Sequence, residues 1–308
     1  MSVGVETNGI NMQLRIICAI ILGLFAPITA RAADPTLPAQ ETIQVFGVKI
    51  AYYELGQGPT LVLVHGYGSS AKGDWGQVML PLAKHHHVIA PDLLGFGNSA
   101  KPLIAYGVQT WVDVLGEFLR EKNISDFTMM GESLGGWIAA DYSIEALQGT
   151  SPGGTDLALP KPSRLVLSDA AGRLATMEAL RPQELDPILS LAHEKYLLTK
   201  IFHDPARHSD QALQQGMAWS MANDNGWAMM SFAVNSPAPG EAVDGRLGAI
   251  TIPTLVVWGQ YDGLLPLADG RFYAAGIPRG KLVVVPNAGH APMIEQPAGF
   301  LAALAGFL

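Results

Sequence analysis

Gly131-Glu132-Ser133-Leu134-Gly135-Gly136 sets one serine between glycines two positions away on either side. A serine hydroxyl attacks an electrophilic carbon only if a base takes its proton and donors meet the charge that develops on the attacked oxygen. A strand-to-helix turn tight enough to lift the hydroxyl clear of the backbone makes side chains two residues before and after the serine collide, so glycine is required there. The run Phe127–Met130 reads as a strand and Trp137–Leu147 as a helix, which is the context that turn needs. The same glycines around a merely structural serine would not require it. Leu134 then opens the helix, and its N–H faces the place where negative charge would form.

A base and an acid are expected further along the chain, in the order serine, acid, histidine. Asp262, in Trp258-Gly259-Gln260-Tyr261-Asp262, follows the apolar run 255–258. His290, in Asn287-Ala288-Gly289-His290, follows the run 282–285. Both therefore fall at the C-terminal ends of strands, where ligands gather in open α/β sheets. Asp169 also ends a strand and is the rival acid; Asp262 is preferred, and Asp169 is read as a structural hydrogen-bonding residue. The other half of an oxyanion site is expected from Val64-His65-Gly66-Tyr67-Gly68, through the Tyr67 N–H, with His65 a packing residue. His85-His86-His87 reads as a solvated turn, and His193, His203 and His208 as polar surface. No metal site and no cofactor are expected, because the single cysteine, Cys18, lies in the N-terminal segment and no Cys/His cluster exists.

These groups need a scaffold that carries them on one edge. Short uninterrupted apolar runs at 61–64, 88–90, 127–130, 165–167, 255–258 and 282–285 are the mark of parallel strands covered on both faces. A hairpin at 42–46 and 49–54, joined at Gly47, precedes them. Helices are expected at about 75–83, 109–122, 134–147, 267–276 and 297–307. The alternation predicts a mostly parallel, doubly wound α/β sheet. Gly149–Pro162 reads as a surface loop. About 173–245 holds no clear strand and reads as a helical cap inserted between two core strands. Its Trp219, Trp227 and Met230 are the candidate substrate-binding residues, against the plainer view that they fill the cap's own core.

Five segments carry a resemblance to a known superfamily: HGYG (65–68), PDLLGFGNS (91–99), GESLGG (131–136), WGQYD (258–262) and NAGHAPMIEQP (287–297). Together they resemble the α/β-hydrolase superfamily over about 42–308. That resemblance implies an α/β-hydrolase fold with Ser133 as nucleophile, Asp262 as acid, His290 as base, and the Tyr67 and Leu134 N–H groups as oxyanion hole. Ser133 stands where related dehalogenases and epoxide hydrolases carry aspartate. The ring-cleavage C–C hydrolases share the serine, but usually follow the histidine with tryptophan where Ala291 stands here. The resemblance thus implies a carboxylesterase- or lipase-like enzyme acting on small to medium acyl esters through an acyl-enzyme, with C–C hydrolysis of dienoic ring-cleavage products as the alternative. A non-catalytic receptor of the same fold would not need all five groups.

Composition bounds the rest. Of 308 residues 49% are hydrophobic and 15% charged, which excludes a disordered chain, and a net charge of −8 does not suit a nucleic-acid binder built on phosphate contacts. Residues 1–32 read as a signal peptide: Arg15, an apolar run 16–28, then Ala30-x-Ala32. That run is shorter than the roughly 20 residues of a spanning helix. The hydrolase domain, 33–308, is expected to be exported and left with no membrane span; an uncleaved N-terminal anchor is the alternative, and Met1 and Met12 both qualify as starts. A small-molecule ester is the expected partner, and the oligomeric state is open.

Overall fold

A computed structural model describes residues 36–149, 158–180, 190–238 and 240–308. The expected leader and most of the expected 149–162 loop lie outside them. Eight strands form one sheet: β1 (Glu41–Val45), β2 (Val48–Leu55), β3 (Thr60–Val64), β4 (His87–Pro91), β5 (Phe127–Glu132), β6 (Arg164–Ser168), β7 (Thr254–Gly259) and β8 (Gly280–Val285). Their order is β1-β2-β4-β3-β5-β6-β7-β8. β2 runs antiparallel to both neighbours, and every pair from β4 to β8 is parallel. Phe46 and Gly47 join β1 to β2 with φ of 50° and 79°, the twist a two-residue hairpin requires.

Helices cover both faces. They are α1 (Ala71–Trp75), α2 (Met79–Leu82), α3 (Val108–Glu121), α4 (Leu134–Gln148), α5 (Leu174–Leu180), α6 (Leu191–Ile201), α7 (Asp210–Ala222), α8 (Gly226–Asn235), α9 (Leu267–Gly276), α10 (Pro292–Glu295) and α11 (Pro297–Leu304). Strand alternation splits the core in two. Val62 and Val64 of β3 enter the cluster holding Trp111, Phe118 and Trp137 of α3 and α4. Leu61 and Leu63 enter the one holding Trp75, Met79 and Phe300 of α1, α2 and α11. α4 is buried along nearly its whole length, between the sheet and α3, its acids Asp141 and Glu145 included.

Where one helix was expected at 75–83 there are two. Ser70 caps α1 by accepting the Gly73 N–H at 3.0 Å, and the chain bends at 76–78 before α2 begins. The helix expected at 297–307 ends at Leu304, and the short α10 precedes it. Between β6 and β7 the described residues of the insertion are α5 to α8 with short connections.

Candidate active site

β5 ends at Glu132 and α4 starts at Leu134, leaving Ser133 between them at φ 52° and ψ −118°. A Cβ on Gly131 would sit 2.1 Å from the Gly135 carbonyl oxygen, and one on Gly135 2.2 Å from that of Val64. Only glycine fits at either place. The strained serine is held by its surroundings: its N–H donates to the Ser168 carbonyl, and its own carbonyl accepts from the Trp137 and Ala171 N–H groups, each at 3.0 Å. As the first residue of α4, Leu134 carries one of the N–H groups that no helix carbonyl can reach.

His290 lies in the loop after β8, and its Nδ1 is 2.8 Å from Asp262 Oδ2. The other Asp262 oxygen accepts the N–H groups of Leu264 and Leu265, both at 2.8 Å. With its proton on Nδ1, donated to Asp262, the imidazole keeps Nε2 as the basic nitrogen. Nε2 lies 3.4 Å from Glu132 Oε1, the residue next to Ser133. Asp169 lies close to both Asp262 and His290, with a carboxylate oxygen within 4.8 Å of Asp262 and of the histidine ring, but it is Asp262 that makes the hydrogen bond to the ring. Asp169 accepts the Gly259 N–H at 2.8 Å and the Ser168 hydroxyl at 2.9 Å, and its carboxyl is within hydrogen-bonding reach of Asp262. Burial first, and the Asp262 charge second, hold the Asp169 carboxyl well above the ordinary carboxylate range.

The loop after β3 closes the other side. An ideal Cβ on Gly66 would be 3.2 Å from Ser133 Cβ, so this backbone runs directly against the elbow. His65 is fully buried, with Nδ1 2.8 Å from the Gly66 carbonyl and Nε2 accepting the Leu93 N–H at 2.8 Å. Both ring nitrogens are occupied, which leaves it no part in proton transfer. The Tyr67 hydroxyl donates to the Met229 carbonyl of α8 at 2.8 Å, and the Asn225 amide to the Gly68 carbonyl at 3.3 Å, so the insertion is fastened over this loop. It is fastened at the base as well. At the end of α6 the Lys200 carbonyl accepts the Gly263 N–H at 3.2 Å and the Ile201 carbonyl accepts the His290 N–H at 2.7 Å.

A cavity of about 420 Å³ lies between sheet and insertion. Gly66, Tyr67, Ser133, Leu134 and His290 line it from below; Met177, Leu197, Trp219, Met229 and Phe232 line it from the insertion. Among its described lining residues are Asp74, Glu132 and Glu194 but no lysine or arginine. Trp219 is thus among the cavity-lining residues. Trp227 and Met230 are not: both are exposed on the outer face of α8, where the Trp227 indole donates to the Ile104 carbonyl at 2.8 Å. Helical geometry turns Met229 and Phe232 inward in their place. Of the other histidines, His87 Nε2 pairs with Glu54 at 2.8 Å, and the His203 ring stacks on Tyr261 with centroids 4.0 Å apart.

Sequence reasoning passed over two carboxyl groups in this site. Glu132 was visible as the variable residue of the serine motif, but nothing marked Asp74, 58 positions earlier, as its neighbour.

A family model described as the alpha/beta hydrolase family matches residues 61–303. The 2-hydroxymuconate semialdehyde hydrolase of Pseudomonas sp. (strain CF600) is 30% identical over 276 residues, covering 85% of this chain and 91% of that protein. The 2-hydroxy-6-oxo-6-(2'-aminophenyl)hexa-2,4-dienoic acid hydrolase of Metapseudomonas resinovorans is 28% identical over 273 residues, covering 85% and 88%. Among solved structures, a bacterial membrane phospholipase A described as a virulence factor superposes with a TM-score of 0.68 at 28% identity, covering 87% of this chain and 86% of that one.

Proposed function

The chain belongs to the alpha/beta hydrolase family, and on that premise we propose that it is a serine hydrolase of neutral carboxylic esters. His290 Nε2 takes the Ser133 proton as the hydroxyl attacks the ester carbonyl, and Asp262 holds the resulting imidazolium through Nδ1. The N–H groups of Tyr67 and Leu134 receive the oxyanion. His290 then returns the proton to the leaving alcohol, and the acyl group stays on Ser133 until a water, activated by the same histidine, releases it.

The observation that carries the ester reading is that no fixed cation stands on the described walls of the cavity. The carboxyl and imidazole side chains on those walls are Asp74, Glu132, Glu194, His193 and His290, with no lysine or arginine. A dienoic acid brings a carboxylate into such a site, and a buried anion with no lysine or arginine to pair with it is disfavoured. An uncharged acyl ester meets apolar walls that stabilise its chain by about 0.8 kcal/mol per buried CH₂. The names of the two hydrolases above support the second reading, cleavage of a C–C bond in a dienoic ketone by the same serine. A panel decides between them: p-nitrophenyl esters of rising acyl length against a dienoic ring-cleavage acid. Ester turnover with kcat/KM at least about 100-fold above that for the dienoate is expected; the reverse order overturns the reading. Ser133→Ala in folded protein should lower kcat by roughly 10⁴-fold or more.

We also propose that the mature chain is exported and starts near Ala33, on the strength of the Ala30-x-Ala32 pattern. N-terminal sequencing of native protein tests this; a product starting at Met1 or Met12 would mean an anchor.

A further inference from the structure

The Asp74 carboxylate, buried in α1, is surrounded by donors. One oxygen accepts the Gly66 N–H at 2.7 Å and the other accepts the Ser69 hydroxyl. Those two residues bracket Tyr67 and Gly68, and the Ser69 N–H closes the same turn onto the Gly66 carbonyl at 3.3 Å. One carboxylate thus holds both ends of the loop that runs against Ser133. A third group within hydrogen-bonding reach of it is the Glu132 carboxyl. Glu132 is itself buried, and its Oε2 would lie 2.2 Å from a Cβ on Gly66, so it fills the space beside that backbone.

The surroundings of this pair are almost wholly acidic. Asp74 faces Glu132 from α1, Asp169 acts on it from the end of β6 and Asp262 from the loop after β7. From the loop after β8 comes His290, with Nε2 3.4 Å away. No lysine or arginine lines the cavity here among the described residues. Two carboxylates cannot both stay charged at hydrogen-bonding distance in such a place; one proton shared between them removes the repulsion and adds a strong O–H···O⁻ bond.

We propose that Asp74 and Glu132 form a one-proton carboxyl pair that positions the oxyanion loop, with the Glu132 proton donated to Asp74. Both are positioning residues: Asp74 acts through the Gly66–Ser69 backbone, and Glu132 acts through Asp74. Burial foremost, then the Asp74 charge, holds the Glu132 carboxyl well above the ordinary carboxylate range, consistent with a proton retained at neutral pH. Loss of that proton places a second negative charge beside the oxyanion and pushes the pair apart, so activity should fall on the alkaline side.

This rests on the serine-hydrolase reading, and the test separates the two. Full-length wild type is treated with the neutral organophosphate diethyl p-nitrophenyl phosphate from pH 6 to 10. Labelling of Ser133 is expected, with a rate that rises and then falls at alkaline pH. No label on Ser133 overturns the hydrolase reading; a label whose rate never falls overturns the pair alone. In ester turnover, Glu132→Gln supplies a donor that cannot be titrated. Scaled to its own rate at pH 7, it should keep its activity at the pH where wild type has lost half. Asp74→Asn cannot accept from Gly66, Ser69 and Glu132 together, and should lower kcat about tenfold or more with KM changed less than threefold. A Glu132→Gln profile identical to wild type, or an Asp74→Asn loss borne by KM, overturns the proposal. Should either variant fail to fold, the wild-type labelling profile still decides.

Discussion

At the residue scale the question is which carboxylate serves His290. Asp262 bonds Nδ1 at 2.8 Å, whereas Asp169, though its carboxylate lies within 4.8 Å of a ring nitrogen, bonds Gly259 and Ser168 instead. Asp262→Asn should therefore leave the ring in the wrong tautomer and lower kcat by on the order of 10³–10⁴-fold. Asp169→Asn keeps an acceptor for the Gly259 N–H and a donor towards Asp262, and should lower kcat no more than about tenfold. Steady-state kinetics of the two variants checks this, and equal losses would move the acid to Asp169. Ser133, Asp262 and His290 were legible in the sequence because each sits just past an apolar strand and is flanked by the glycines its turn needs. Asp74 was not. Its role depends on which residues are brought beside it by folding, and a lone acid after a glycine carries no local mark of that.

Elements were legible in proportion to how evenly they are buried. A strand covered on both faces must be apolar throughout, so β3, β5 and β7 announced themselves as unbroken runs. In α8 nearly every residue from Trp227 to Val234 is apolar, and the pattern does not say which side faces the cavity. The structure resolves it: Met229 and Phe232 look in, while Trp227, Met230 and Val234, at spacings of three and four, look out. Trp219→Ala in α7 should accordingly lengthen the preferred acyl chain, and Trp227→Ala should leave the chain-length profile unchanged. Rates across p-nitrophenyl acetate to laurate measure both. A shift with Trp227→Ala alone would mean that α8 is turned the other way in solution.

At the scale of the whole molecule the balance of buried charge sets the response to pH. Asp141 and Glu145 lie four residues apart on α4, both buried, with Arg246 paired to Asp141. Burial, and then the Asp141 charge, pushes the Glu145 carboxyl up to about 7; burial, opposed by Arg246, brings Asp141 to about 6. A folded-state value above the unfolded one means that the native protein holds the proton more tightly. The stabilisation this gives is fully present below the ordinary carboxylate range, at about pH 4, and is lost as pH rises through about 7. Thermal unfolding between pH 5 and 8 should show a Tm that declines with pH. Glu145→Gln, which carries no titrating proton, should flatten that decline, and an unchanged slope would remove Glu145 as its source. None of this was legible beforehand, because α4 reads as an ordinary helix until its neighbours are known.

The two carbonyls at the end of α6 have a further consequence. They tie Gly263 and His290, in the loops after β7 and β8, to the roof of the cavity through backbone groups alone. The roof and these two loops are thus coupled through main-chain hydrogen bonds. If α6 lifts to admit or release a large molecule, two bonds worth about 0.5–1.5 kcal/mol each are broken and His290 loses a fixed point of its backbone. A state with α6 lifted would therefore hold His290 less firmly than the tied one. Small esters that enter without lifting α6 should turn over with the tie intact, whereas a substrate too large to do so would have to break it.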